Sequence, residues 1–65
     1  MTTFHTTRLE GWAAVWYRVD RAVHLYRLTR PDGTEHDTEG ISLSHAVDLM
    51  PRALWTLLRV EGGNS

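Results

Sequence analysis

The sequence predicts a small α+β domain: a three-stranded antiparallel sheet followed by a C-terminal helix, in the order β-β-β-α. Three observations predict it. "WAAVWYRV" and "AVHLYRLT", residues 12–19 and 22–29, are rich in β-branched and aromatic residues. "RPDG", Arg30 to Gly33, is a turn sequence, with proline presetting φ and glycine free to take a positive one. From Leu43 onward, apolar residues recur at helical spacing.

Each element follows in chain order. Residues 1–8 are polar and threonine-rich, with Phe4 as the one strong anchor, and are expected to form a loose lead-in. As a strand, residues 12–19 put Ala13, Val15, Tyr17 and Val19 on one face, and Trp12, Ala14, Trp16 and Arg18 on the other. A helix over 12–26 is the competing reading. It would align Leu9, Trp12, Trp16, Val19, Val23 and Tyr26 on one seam. Leu25 and Leu28 fall off that seam, and the residue types favour strand. "VDRA" then becomes a turn. After the Pro31–Gly33 turn, "TEHDTE" is short and polar and reads as a third strand at a charged edge.

The last element is helical. Ser42 is placed as N-cap, with Ile41 and Ala46 as a hydrophobic staple. Leu43, Ala46, Val47, Met50, Leu54, Leu57 and Leu58 form the apolar stripe. Pro51 interrupts it, because its ring would clash with the carbonyl of Val47 in a continuous helix. The helix is therefore expected to kink or split near Pro51, into residues 43–50 and 51–60. The tail "EGGNS", residues 61–65, is expected to be flexible, its glycines ending the helix.

Length and composition bound the function. One domain of 65 residues buries only about 60% of the surface its unfolded chain exposes, so oligomerisation or a bound partner is a plausible source of added stability. There is no cysteine, hence no disulfide and no thiolate metal site. No apolar run reaches the length of a membrane span, and "MTTFHTTRLEG" lacks the charged and apolar regions of a secretory signal. A cytoplasmic protein with no membrane contact is expected. Net charge is −1, but it is segregated. Residues 8–30 carry five arginines against Glu10 and Asp20; residues 31–48 carry five carboxylates and no base. All seven basic residues are arginine, as in the codon usage of a GC-rich genome such as an actinobacterium or its phage.

Catalytic chemistry finds little support. His5, His24, His36 and His45 match no metal-ligand spacing, and Glu35, His36, Asp37 and Glu39 alternate across a strand. Ser42, Ser44, His45 and Asp48 are neighbours at a helix start, where capping explains the serines better than a triad does. No metal, no cofactor and no catalytic residue is expected.

The rings carry the functional reading. If Tyr17 faces the helix, Trp12, Trp16 and Arg18 face away, and the converse also holds; one helix covers one face. One set on this strand should thus be exposed, next to arginine, as binding anchors are. The candidate interaction residues are Trp12, Trp16, Tyr17, Arg18 and Arg27. The expected function is a non-enzymatic protein-interaction module, either a homodimer or a regulator or inhibitor of a larger protein. The competing function is nucleic-acid binding through the sheet. Three strands followed by "SLSHA" and a helix, over residues 12–58, resemble in topology the arm-type DNA-binding domains of tyrosine integrases and the plant AP2 domain. In this competing reading, strand-borne Arg18 and Arg27, joined by Arg21 and Arg30, would track phosphates and bases together with Trp16; the resemblance is one of topology and helix start and transfers no specific motif. Those families are clearly basic, and this chain is not.

Overall fold

In the computed structural model, which describes residues 2–63, Glu10 and Gly11 take φ of 49° and 89°. Positive φ at both central residues is the backbone of a tight hairpin turn whose twist matches that of the strands it joins. Here it joins β1 (His5–Leu9) to β2 (Trp12–Val19), pairing His5 with Trp16 and Leu9 with Trp12. The sheet therefore has four strands where three were expected. Of the expected lead-in over residues 1–8, His5 to Arg8 belong to β1, residues 2–4 precede it without regular structure, and Met1 lies outside the described residues. Thr6 and Thr7 suit a strand, and Glu-Gly makes the turn without the usual Asn-Gly signature.

The remaining hairpins follow the expected punctuation. Asp20, at φ 58°, turns β2 into β3 (Ala22–Thr29). The Arg30–Gly33 turn is closed by the Gly33 N–H donating to the Arg30 carbonyl at 2.9 Å, and leads into β4 (Glu35–Ser42). The sheet order is β1-β2-β3-β4, all neighbours antiparallel. The helix reading of residues 12–26 is excluded.

The register holds a feature that alternation alone could not foresee. Leu25 and Leu28 are both fully buried on one face, although they lie three positions apart. Strict period-2 geometry would send them to opposite faces. The pairing steps from Val15↔Arg27 to Trp16↔Leu25, so Tyr26 is an extra residue on β3. β4 answers with its own irregularity at Glu39 and Gly40, whose φ are 54° and 82°. A bulge of this kind re-aims the side chains beyond it. The Thr38 hydroxyl donates to the Leu25 carbonyl at this point.

After β4 the chain departs from the expected helix over 43–50. Only Leu43–His45 forms a 3-10 turn; the Ala46 and Leu49 N–H groups donate to carbonyls three residues back, at 3.0 Å each. The residue before proline avoids the α region, which keeps Met50 and its predecessors out of a continuous helix. Ser42 makes no side-chain cap. Its hydroxyl pairs instead with Ser44 Oγ at 3.1 Å and His45 Nδ1 at 2.8 Å. The helix proper, α1 (Arg52–Gly63), begins just after Pro51. The Pro51 carbonyl accepts the N–H of Leu54 and of Trp55, each at 3.1 Å. Proline at this boundary sacrifices no hydrogen bond.

α1 lies across one face of the sheet. The core comprises Ala14, Trp16, Val23, Leu25 and Leu28 from the sheet, and Leu43, Ala46, Met50, Leu54 and Leu58 from the C-terminal half. Val47 and Leu57 of the expected stripe are only half-buried, and Leu49 packs on the core instead. The helix also runs on through Gly62, within the stretch expected to be a flexible tail. Gly62 is buried, and a Cβ there would meet Val23 Cγ2 at 2.5 Å and Trp16 Cζ3 at 3.0 Å. The glycine permits close approach of helix to sheet rather than ending the helix. Asn64 and Ser65 of the expected tail lie outside the described residues.

Candidate interaction face

The two faces of β2 have different fates. Trp16 is 4% exposed and belongs to the core; Trp12 packs against it. The Trp16 indole N–H donates to Thr7 Oγ1 at 2.9 Å, and the Thr7 hydroxyl donates to Glu61 Oε1 at 2.5 Å. A buried indole is satisfied and the sheet is tied to the last turn of α1 in one chain of bonds. Arg18 follows on the same face as Trp16 and is exposed at a shallow recess it shares with His5, Thr7 and Glu61.

Tyr17 points the other way, onto the face without a helix. There it meets residues from two neighbouring strands and the N-terminal segment. The Phe4 ring meets Tyr17 edge-on at 5.6 Å between centroids and Tyr26 at 5.0 Å. The His24 ring stacks on Tyr17 at 5.6 Å, and its Nδ1–H donates to the Gly40 carbonyl at 2.9 Å. Since a carbonyl only accepts, this bond places the neutral ring's proton on Nδ1. Gly40 carries no Cβ where the Tyr17 hydroxyl lies against it, and its positive φ suits the β4 irregularity. Arg27 completes the patch, 5.6 Å from the Tyr26 ring centre and 3.9 Å from Glu35 Oε1. That exposed pair contributes little stability.

The five residues singled out from sequence are thus divided. Trp12, Trp16 and Arg18 stand on the helix side; Tyr17 and Arg27 stand on the open side. The structure adds Phe4, His24 and Tyr26 to the latter pair. The position of Tyr26 depends on the bulge, and nothing in the local sequence announces it. Phe4 was legible as an anchor, but its target was not. Phe4 is 51% exposed, Tyr26 38% and Val19 48%.

Among the described residues, no group of three or more histidines and carboxylates converges as metal ligands do, and no helix is long and apolar enough to cross a membrane. Comparison of the chain with protein-family models, curated proteins and solved structures yields no match.

Proposed function

We propose that this domain is a non-enzymatic protein-interaction module whose open sheet face takes an apolar protein surface. One observation carries the reading: α1 covers a single face of the sheet, and the opposite face keeps the Phe4 and Tyr26 rings exposed around a half-buried Tyr17, beside Arg27. Aromatic side chains next to arginine are the residue types that dominate binding energy at interfaces. Rings with few rotatable bonds also lose little entropy on docking. A small core gains further stability from such a partner by mass action.

Nucleic-acid binding through the sheet fits the open face less well. Its arginine, Arg27, is partnered by Glu35, and Asp37 stands opposite Arg27 on β4. Carboxylates there would repel phosphate. The fourth strand also departs from the three-stranded arrangement on which the resemblance to arm-type and AP2 domains rested.

The test is sedimentation of the wild type and a Phe4→Ala/Tyr26→Ala double variant over a range of concentrations, with circular dichroism as the check on folding. Self-association lost in a folded variant supports a second copy as the occupant. A monomeric wild type directs the search to a larger partner, captured from the native host by wild type and missed by the variant. Equal behaviour of wild type and variant in both assays overturns the reading.

A further inference from the structure

On the side away from the ring cluster, a cleft of about 340 Å³ opens between the β2–β3 turn, the end of β4 with the 3-10 turn, and α1. Two arginines reach it from separate elements: Arg21 from the turn and Arg59 from the helix. Ser42 and Ser44 add hydroxyls at its rim. Val23, Leu43 and Trp55 give it an apolar part, and no carboxylate lines it. Among the described residues, neither arginine has an ion-pair partner within 4.0 Å.

One of the arginines is held in place. The Arg59 guanidinium lies 5.2 Å from the centre of the Trp55 ring, one helical turn away. The ring is fixed in turn by its indole N–H, which donates to the Leu43 carbonyl at 2.8 Å. A guanidinium stacked on an anchored ring has less freedom to lose when it binds an anion.

We propose that this cleft binds an organic phosphate monoester of nucleotide size. Arginines contributed by two different elements, supplemented by hydroxyls, suit the terminal oxygens of a phosphate group. The cleft lies at the lower end of the volume range of small-molecule sites and has an apolar lining that inorganic phosphate would leave empty. The site is separate from the open sheet face and stands independently of the function proposed for it.

The test is titration of the ¹⁵N-labelled 65-residue chain with adenosine monophosphate, adenosine and inorganic phosphate, followed by NMR. Adenosine monophosphate should shift the Trp55 indole and the Arg21 and Ser44 amides saturably, and more tightly than adenosine or inorganic phosphate. Arg59→Ala and Arg21→Ala are both exposed substitutions and should leave the fold intact. Each should weaken the affinity by about tenfold, the loss expected for one charged hydrogen-bonding group. Phe4→Ala should leave it unchanged. No saturable shift with adenosine monophosphate overturns the proposal, as does a response undiminished in both arginine variants. Equal affinity for adenosine removes the phosphate from the site, and equal affinity for inorganic phosphate removes its organic part. Steeply salt-dependent binding of a single-stranded oligonucleotide, without a response to the mononucleotide, reassigns the cleft to nucleic acid.

Discussion

The two faces of this sheet solve the same problem, placing large rings on a small scaffold, in opposite ways. On the covered face, Trp16 is enclosed by α1, hydrogen-bonded through Thr7 to Glu61, and touched closely by Gly62. On the open face, Tyr17 is sheltered only by other rings, Phe4 and His24, with Gly40 beneath its hydroxyl. Each face thus has a glycine that lets a ring lie close to backbone. The difference is that one set of rings holds the domain together and the other is left half in water. Burial of apolar area stabilises roughly in proportion to the area removed from water, so the enclosed rings contribute more than the half-wet ones. Changes on the covered face should therefore reach stability, and changes on the open face should reach association.

The sharpest break of this contrast comes from Leu54→Ala. Leu54, on the sheet-facing side of α1, is fully buried, and truncation should cost about 2–5 kcal/mol. In so small a domain that is enough to unfold much of the population. An unchanged melting temperature would place Leu54 outside the core.

Next in size is Thr7→Val. It keeps the shape but leaves the buried Trp16 indole without its acceptor and cuts the link to Glu61. The expected loss is about 1–3 kcal/mol, read from denaturant unfolding. A smaller loss in a Glu61→Gln variant would separate the indole's share from the carboxylate's.

Gly62→Ala tests the close approach directly. The added methyl meets Val23 and Trp16, both stiff side chains. Overpacking costs about 1–3 kcal/mol, while alanine regains at most about 1 kcal/mol of helix propensity, so a net loss is expected. A gain in melting temperature would mean that the helix end sits farther from the sheet.

On the open face, Phe4→Ala should change stability by less than about 1 kcal/mol, since the ring is half exposed. It should nonetheless weaken association measured by sedimentation. Unfolding in place of dissociation would make the rings part of the core and erase the contrast between the faces.

The smallest effect belongs to neither face. At the Arg30–Gly33 turn, hydrogen bonds from the Thr34 backbone and side chain hold the Asp32 carboxyl below the usual carboxylate range. A folded-state value below the unfolded one means that the stabilisation is present above the ordinary Asp pKa and is lost as pH falls through the depressed value. The melting temperature of wild type should fall slightly more on acidification than that of Asp32→Asn. Parallel pH profiles would show that the charge contributes nothing at this exposed site.

Much of this fold was legible in the chain. The β-rich segments around Trp16 and Leu25, the Pro31–Gly33 turn, the break at Pro51 and a helix carrying Leu54 and Leu58 all follow from local rules, because each depends on residues within a turn or two of one another. So did the division of β2 into two ring-bearing faces, which period-2 geometry imposes on any strand.

Tertiary structure decided the rest. Whether Trp16 or Tyr17 would be enclosed depended on which face α1 chose, and Thr7, Glu61 and Gly62 settled that by fitting the tryptophan side. β1 became a strand because pairing with β2 gives its backbone partners and gives Thr7 a buried role, neither of which its own composition reveals. Leu25 and Leu28 share the core only because a bulge at Tyr26 shifts the register, a compromise between two neighbouring strands. Gly62 reads locally as a helix stop, yet the helix continues through it, because the absence of a side chain is what the packing against Val23 and Trp16 requires.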